Sequence, residues 1–188
     1  PSGHVEGVIA GFKDRYEIVH SDLNLSVAGA VSGISAVTLY DKRNGNLRVL
    51  VDGTELNPDR GVNGESRNDT LANIYIILGE GHYINNFEKD AVRSAIEANL
   101  RFNNQSTYDQ LVSEFGNGVT YVQGVPLPDF DYEALRDAGR IAFYRQADAV
   151  KEYIKFLINT FGADPEKLGL VGDSLGGAVA FEAGVQLQ

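Results

Sequence analysis

The segment that most constrains the fold lies near the end of the chain and reads "KLGLVGDSLGGAVAFEAG", Lys167 to Gly184. It begins with a short apolar run, Leu168–Val171, which has the length and the flanking turn residues of a buried strand. Before this run a helical pattern ends at Gly162 and Asp164-Pro165 turns the chain, and after it glycines lead into a second helix. A helix, a turn, a buried strand, a glycine-rich corner and a helix form half of a parallel α/β unit. The sequence therefore predicts an α/β fold.

The corner in this unit, Gly172-Asp173-Ser174-Leu175-Gly176, fits the pattern G-x-S-x-G. In that pattern the serine occupies a strained turn between a strand and a helix, so that its hydroxyl projects outward. Small residues two positions before and after the serine let the strand and the helix pass closely, and Gly177 adds a further small residue. The amide of Leu175 would point at the same place from the start of the helix, where it could stabilise an oxyanion. The pattern predicts Ser174 as a nucleophile, framed by the surrounding glycines and Asp173.

Two other structures share this composition: a glycine-rich corner without chemistry, and a phosphate-binding loop. A phosphate-binding loop needs a Lys followed by Ser or Thr after its glycines. Gly177-Ala178-Val179 supplies neither. The predicted strand before the corner and the predicted helix after it favour the nucleophile over a bare corner.

Upstream of this unit the chain alternates β-rich and helical segments. Two β-rich runs flank "DKRNGN" and predict an antiparallel hairpin with strands at about Ala36–Tyr40 and Leu47–Val51. Apolar periodicity predicts helices in "NNFEKDAVRSAIEANLRF", in "STYDQLVSEFG" and over Tyr132–Phe161, the last either continuous or broken near Gly139. "TLANIYIILGEG" is compatible with a strand or a helix, and "NGVTYVQGVPLPDFD" predicts a strand and a loop. Asp129 or Asp131 is expected to cap the long helix.

"VGDSLGGAVA" resembles the "GHSLGGALA" elbow of class 3 lipases and of the secreted repeats-in-toxin-type lipases, which are α/β-hydrolases. "GNLRVLVDGTE", Gly45–Glu55, resembles the strand and the "RGT" segment of the same enzymes. The resemblance implies that Thr54 contributes an amide and a hydroxyl to an oxyanion hole, with the Leu175 amide opposite. Two positions depart from the family, since Asp173 stands where it usually has His and Asp52 stands where it usually has Arg.

The resemblance covers about Ile34–Gly184 and implies an α/β-hydrolase-like fold. Such a fold would contain an incomplete, mainly parallel sheet with flanking helices and an antiparallel hairpin. We therefore expect residues 34–188 to form a partial α/β-hydrolase domain that ends just after the elbow. Residues 1–33 form an N-terminal segment whose pattern defines little structure, apart from a short helix expected near Phe12–Ile18.

A serine hydroxyl becomes a nucleophile when a base, usually a His oriented by a carboxylate, takes its proton. In α/β-hydrolases the order along the chain is Ser, then Asp or Glu, then His. After Ser174 the sequence offers Glu182, poorly placed two helical turns along, and no histidine. His4, His20 and His82 all precede the serine, and positions in solvated loops are favoured for them, with His82 the best of the three as a base. We therefore expect the acid, the base and the remaining strands to lie beyond this portion, which alone would be inactive.

The charge balance and the missing residue types exclude several functions. With 16 basic and 26 acidic residues the formal charge is −10, which disfavours electrostatic binding to nucleic acid. The chain contains no cysteine, so disulfides, thiolate zinc sites and cysteine nucleophiles are excluded. No run approaches the ~18 uninterrupted apolar residues of a membrane span, so no transmembrane segment is expected.

Oxygen-rich side chains crowd the stretch Leu56–Asp69, which its composition predicts to be a loop. Asp59, Glu65 and Asp69 lie in it with three asparagines, but their spacing matches no EF-hand. A solvated loop is therefore favoured over a calcium site, and we expect no metal or cofactor in this chain. The resemblance places the calcium repeats of the secreted relatives C-terminal to it.

Together these patterns predict a serine carboxylic-ester hydrolase of the lipase or esterase type, which acts on an ester or lipid through an acyl-enzyme at Ser174. The acidic composition without cysteine resembles that of proteins exported unfolded from Gram-negative bacteria, so an extracellular location is expected. The alternative is a non-catalytic α/β module of a larger secreted adhesin or toxin, which keeps the elbow as architecture. No pattern bears on the oligomeric state.

Overall fold

The computed structural model describes residues 10–22, 25–27, 30–53, 65–122 and 124–188. The chain divides into two compact units. The first, here called the sheet unit, consists of Pro1–Ala28, Ile34–Gly53 and Ala147–Gln188. The second, here called the helical unit, consists of Gly29–Gly33 and Thr54–Gln146. Most of the helical unit is therefore an insertion in the chain between two parts of the sheet unit.

Helices and strands follow one another along both units. The helices are α1 (10–15), α2 (Glu65–Leu78), α3 (Asn86–Ala95), α4 (Arg101–Asn103), α5 (Gln105–Phe115), α6 (Tyr132–Phe161) and α7 (Leu175–Val185). A π-helical turn, Ile96–Leu100, joins α3 to α4, and a 3-10 turn, Pro165–Lys167, follows α6. The strands are β1 (Tyr16–Asp22), β2 (Ser26–Val27), β3 (Ala30–Val31), β4 (Ala36–Asp41), β5 (Asn46–Val51), β6 (Gly116–Val122), β7 (Val125–Phe130) and β8 (Leu168–Gly172). Of the helices in the described ranges, none combines the length and the apolar character needed to cross a bilayer.

The sheet unit contains a four-stranded mixed sheet in the order β1-β4-β5-β8. The pairs β1–β4 and β4–β5 are antiparallel, and β5–β8 is parallel, with register from Leu47↔Leu168 to Val51↔Gly172. The α/β class is therefore correct, but the expected mainly parallel character is wrong for this sheet. The short turn between β4 and β5 permits only an antiparallel pair, whereas β5 and β8 are separated by the long connection that a parallel pair requires.

The β4–β5 hairpin was predicted from local sequence, and the structure confirms it. Gly45 in its turn adopts a φ of 74°, a value that glycine reaches without a steric penalty. Alternate residues of the two strands, such as Thr38 and Val49, are buried as cross-strand partners. The expectation of a short helix near Phe12–Ile18 is correct only for α1, because β1 begins at Tyr16 and pairs with β4.

The helical unit contains α2 to α5, the β6–β7 hairpin and the first half of α6. The segment "TLANIYIILGEG", for which strand and helix were both open, is helical as far as Leu78. The expected loop Leu56–Asp69 is wrong for Glu65 to Asp69, which lie in α2; the rest of that stretch lies outside the described residues. Asp69 is fully buried, and its Oδ1 accepts a hydrogen bond of 2.7 Å from Gln146 Nε2, so this acid is not part of a solvated loop.

The long helix α6 is continuous, so a break near Gly139 is excluded. A Cβ at Gly139 would lie 2.3 Å from the Leu71 carbonyl oxygen, which shows that this glycine lets α2 and α6 approach closely. Asp131 Oδ1 accepts a hydrogen bond from the Ala134 amide at 3.0 Å, which confirms Asp131 as the capping residue. The expected strand and loop in "NGVTYVQGVPLPDFD" are instead two paired strands, β6 and β7.

Candidate active site

Ser174 occupies the single residue position between Asp173, which follows β8, and the start of α7 at Leu175. Its backbone has φ 51° and ψ −123°. Among the described residues it is the only non-glycine with a positive φ. A serine in this sparsely populated region costs on the order of 1–3 kcal/mol, which the surrounding structure must supply.

Three glycines near Ser174, one before it and two after it, bring three elements into backbone contact. A Cβ at Gly172 would lie 2.2 Å from the Gly176 carbonyl oxygen, and a Cβ at Gly176 would lie 2.1 Å from the Asp52 carbonyl oxygen. A Cβ at Gly177 would lie 3.1 Å from the Gly172 carbonyl oxygen. The start of α7 therefore packs directly on the backbone of β8 and of the end of β5, and this packing holds the strained turn in place.

The Ser174 side chain is exposed and makes no capping hydrogen bond, although Ser174 is the N-cap residue of α7. A serine at an N-cap usually accepts a hydrogen bond from an amide in the first helical turn. The Ser174 side chain does not accept such a hydrogen bond and so does not cap α7. The hydroxyl is instead left at the surface of the protein.

Amide donors for an oxyanion lie at the start of α7. Leu175 is the first residue of the helix, so its N–H has no acceptor within the helix. Its side chain is 1% exposed and fixes the backbone at this point. The other donor implied by the resemblance, Thr54, lies outside the described residues. Gly53, which precedes it in the sequence, would place a Cβ 3.8 Å from Ser174 Cβ, so the end of β5 reaches the elbow.

Two exposed carboxylates flank the elbow. Asp173 directly precedes Ser174, and Asp52 Oδ1 accepts a hydrogen bond of 2.8 Å from the Gly53 amide. The sequence identified Asp52 only as a departure from the family pattern, and gave Gly53 no role. A glycine two positions after the predicted strand was the signal that could have identified Gly53.

Both histidines in the described part of the chain hydrogen-bond to groups other than Ser174. His82 Nε2 lies 2.7 Å from Glu88 Oε1, and the imidazole also hydrogen-bonds to the backbone of Glu80. The hydrogen bonds that the ring donates to Glu88 and to the Glu80 backbone raise the pKa of His82, because both acceptors favour the charged ring. Glu88 in turn accepts a hydrogen bond from the Asn85 amide at 2.9 Å in the capping box of α3. His82 therefore ties the segment after α2 to the start of α3 in the helical unit, and this His82–Glu88 pair is here called the clamp.

The pKa of His82 should therefore fall towards its ordinary value in Glu88→Gln, since glutamine cannot stabilise the imidazolium electrostatically. Because the pKa of His82 is raised, the protonated ring stabilises the fold at low pH, and this stabilisation is lost as the pH rises through the folded-state pKa of His82. Because the pKa of Glu88 is lowered, its carboxylate stabilises the fold above the ordinary carboxyl pKa range. That stabilisation is lost as the pH falls through the folded-state pKa of Glu88. The pair is therefore strongest between these two limits. NMR titration of the His82 ring protons measures the change. An unchanged pKa of His82 in Glu88→Gln would contradict the clamp.

His20, which was expected in a solvated loop, lies in strand β1 instead. Its Nδ1 is 3.0 Å from the Tyr153 hydroxyl, which is 2.8 Å from Thr38 Oγ1. The rings of Tyr153, Phe156 and Phe161 surround it at centroid distances of 5.1–5.7 Å. Burial raises the pKa of Tyr153, so its hydroxyl stays protonated as part of this network. The third histidine, His4, lies outside the described residues.

The remaining acidic candidates have other partners or no cluster around them. Glu182 Oε1 accepts a hydrogen bond of 3.1 Å from Gln186 Nε2 one turn along α7, so it orients no imidazole. Within the part of the chain that the structure describes, no group of three or more His, Asp or Glu residues lies close enough together to hold a metal ion. Asp59 lies outside the described residues.

The geometry therefore brings together a strained, exposed serine, the free amides at a helix start and the end of a neighbouring strand. Comparison with family models, with curated proteins and with solved structures finds no match to this chain.

Proposed function

We propose that this chain carries the nucleophile elbow of a serine carboxylic-ester hydrolase with an α/β-hydrolase fold, and that Ser174 is the nucleophile. The observation that carries the proposal is the backbone of Ser174, with φ 51° and ψ −123°, at a corner between a parallel strand and a helix. A corner without chemistry would place a glycine there, since glycine adopts this conformation without strain. A serine kept under strain, with its hydroxyl unused as a cap, supports a chemical role.

The reaction proceeds through an acyl-enzyme. Ser174 Oγ attacks the acyl carbonyl carbon while its proton passes to a base, and the carbonyl oxygen becomes an oxyanion. The Leu175 amide donates to that oxyanion, with a second donor from the Thr54 region opposite. One such donor typically lowers the barrier by about 3–4 kcal/mol. The C–O bond to the alcohol then breaks, and the alcohol leaves with the proton from the base. Water, deprotonated by the same base, releases the carboxylic acid and restores Ser174.

The base in this proposal is a histidine. His20 Nδ1 hydrogen-bonds to Tyr153 and His82 Nε2 hydrogen-bonds to Glu88, so neither of these two nitrogens takes the Ser174 proton. In α/β-hydrolases the residues of the triad follow the chain order Ser, then acid, then His.

The resemblance to class 3 and repeats-in-toxin-type lipases supports the choice of an ester or a lipid as the substrate. The glycines at Gly172 and Gly176 that the motif contains are those whose Cβ atoms would meet backbone. We propose an ester or a lipid as substrate and an extracellular location, the latter on the acidic composition without cysteine. Asp52 and Asp173, which stand where those lipases usually have Arg and His, make the surroundings of the serine more acidic than in those enzymes.

A fluorophosphonate probe tests the proposal directly, because it forms a covalent adduct with a serine that a base has activated. The full-length protein should be labelled at Ser174, located by mass spectrometry of the proteolysed adduct. Ser113→Ala, which removes an exposed serine on α5, is the matched control and should be labelled as wild type is. An adduct at another serine, or no adduct at all, would instead favour the non-catalytic module.

A further inference from the structure

A cavity of about 370 Å³ lies in the sheet unit, at the opposite end of strand β8 from Ser174. Lys167, which directly precedes β8, lines this cavity, whereas Ser174 follows the other end of the strand. The residue steps from Leu168 to Gly172 set these two ends about 13 Å apart. The volume lies within the range of small-molecule sites. The cavity is therefore a second place at which this chain can bind a ligand.

The walls of the cavity are largely apolar and come from the sheet and from the end of α6. Tyr40 on β4 and Leu47 on β5 are cross-strand partners, so they project from the same face of the sheet. Leu157 and Phe161, in the last two turns of α6, line the cavity as well. Two of these side chains are aromatic rings, which offer an organic ligand dispersion contacts and electron-rich faces.

The two rings are held in place and remain accessible. The ring centroid of Phe161 lies 5.7 Å from that of His20 and 5.6 Å from that of Phe156, yet Phe161 is 55% exposed. Tyr40 is 38% exposed, and its hydroxyl lies over the hairpin turn, since a Cβ at Gly45 would be 3.8 Å from it. Neither ring has to leave a core to meet a ligand, which lowers the cost of binding.

The end of α6 gives the cavity a negative potential. Phe161 is the last residue of a 30-residue helix, and the carbonyl groups of a last helical turn carry partial negative charge because the helix offers them no donors. In α6, all of whose residues the structure describes, the last turn has no basic residue to neutralise this end. Asp164, which follows within three residues and also lines the cavity, adds a carboxylate.

Among the described residues that line the cavity, Lys167 is the one base and Asp164 the one acid. Lys167 Nζ lies 3.5 Å from Asp164 Oδ2, but the two side chains are 60% and 46% exposed, and an ion pair this accessible to water is weak. Asp164 Oδ1 accepts a hydrogen bond of 3.1 Å from the Glu166 amide, which holds the carboxylate in place. Lys167 has a long flexible side chain and can turn into solvent. A ligand cation can therefore take its place beside Asp164.

We propose that this cavity binds a small organic cation of the alkylammonium or quaternary ammonium class, free in solution. The rings of Tyr40 and Phe161 attract the positive charge through their faces and contact its carbon substituents. Asp164 and the end of α6 attract the same charge. An anion would be repelled by both, and a neutral ligand would gain nothing from either. This site goes beyond the proposed hydrolase function and does not depend on it.

Isothermal titration calorimetry with choline tests the charge that the cavity selects. The control ligands are the neutral analogue of choline, in which a carbon atom replaces the nitrogen, and the anion tert-butylacetate. The chain should bind choline, and its affinity for each control ligand should be lower by about threefold or more, because neither has the positive charge. Phosphatidylcholine vesicles, which present the same trimethylammonium group on a lipid, should displace choline no better than free choline does at equal headgroup concentration.

Three charge variants test the role of the ion pair. Lys167→Gln should strengthen choline binding about twofold, because it removes the cation that competes for Asp164. Lys155→Gln is the matched control and should leave the affinity unchanged. Lys155 is half-exposed and pairs with Glu152 three residues before it, so its loss changes the net charge equally, but it does not line the cavity. Asp164→Asn should weaken binding about threefold, while its side-chain oxygen can still accept the hydrogen bond from the Glu166 amide.

Phe161→Leu tests the ring, because leucine keeps an apolar side chain without an aromatic face. Choline binding should weaken about threefold in this variant, and circular dichroism checks that it is folded. Four results would each overturn the proposal: no binding of choline, equal affinity for choline and its carbon analogue, weaker binding in Lys167→Gln, or stronger displacement by vesicles. Choline should bind equally well to Ser174→Ala. Loss of fluorophosphonate labelling with choline binding retained would therefore refute the hydrolase and leave the cation site.

Discussion

Ser174→Ala is expected to reduce ester hydrolysis by the full-length protein about 10⁴-fold or more, because the attacking oxygen is lost. The free energy of unfolding should stay within about 0.5 kcal/mol of wild type, since the side chain is exposed and makes no capping hydrogen bond. Alanine keeps a Cβ, so the strain at φ 51° and ψ −123° remains in this variant. Release of p-nitrophenol from a short acyl ester measures the rate, and urea denaturation followed by circular dichroism measures the stability.

Ser174→Gly separates the strain from the chemistry. Glycine relieves a strain of about 1–3 kcal/mol at this φ and ψ, and the greater freedom of glycine in the unfolded chain offsets about 0.5–1 kcal/mol of that gain. We therefore expect Ser174→Gly to be more stable than Ser174→Ala by about 1 kcal/mol, with hydrolysis equally lost. Ser113→Gly, at an exposed helix position, is the control and should lose about 0.5 kcal/mol. A Ser174→Gly protein less stable than Ser174→Ala would show that the serine is not held under strain, and the nucleophile would lose its main structural support.

Structure that depends on neighbouring residues could be predicted from the sequence. The β4–β5 hairpin follows from a turn at Gly45 between two β-rich runs, and the structure confirms it. The strand before Ser174 is predicted by an apolar run, and the helix after it by a group of small residues followed by a second apolar run. All of these lie within about twenty residues. In each case the signal and the structure occupy the same short segment, so no distant contact was needed.

Structure that depends on distant partners could not be predicted in this way. Asp69 belongs to a polar stretch, but a hydrogen bond to Gln146, 77 residues away in sequence, lets it lie fully buried in a helix. His20 is in a strand because β1 pairs with β4 and Tyr153 covers its ring. The expectation of a mainly parallel sheet failed for the same reason, since strand order is set by packing between segments that no local pattern relates.

The candidate site shows both situations at once. The strained conformation of Ser174 is implied by the motif itself, whereas the approach of Gly53 to Ser174 joins residues more than a hundred positions apart. The sequence could name the glycines of the elbow without showing what each of them contacts. The contact of Gly176 with the end of β5 is the clearest case, because it ties the predicted nucleophile to the strand that leads to Thr54.

Gly176→Ala is accordingly expected to destabilise the sheet unit by about 3 kcal/mol or more. The added Cβ would lie 2.1 Å from the Asp52 carbonyl oxygen and 2.5 Å from the Val51 carbonyl oxygen. Both are backbone atoms of the β5 end, so a side chain cannot rotate away to make room. Either α7 separates from β5 or the turn at Ser174 changes its shape, and both responses should also reduce fluorophosphonate labelling.

Gly184→Ala on the same helix is the matched control, because its Cβ would meet Leu170 Cδ1 at an ordinary contact distance of 3.6 Å. There the better helix propensity of alanine should raise stability by about 0.5 kcal/mol. Hydrogen exchange of the β5 and β8 amides measures both variants locally, which matters because a chain of two units need not unfold in one step. Faster exchange in Gly176→Ala and slower exchange in Gly184→Ala would show that the elbow depends on backbone contact and not on glycine content. If Gly176→Ala exchanged as slowly as wild type, α7 would have room beside β5, and the close packing that holds Ser174 in its strained turn would be refuted.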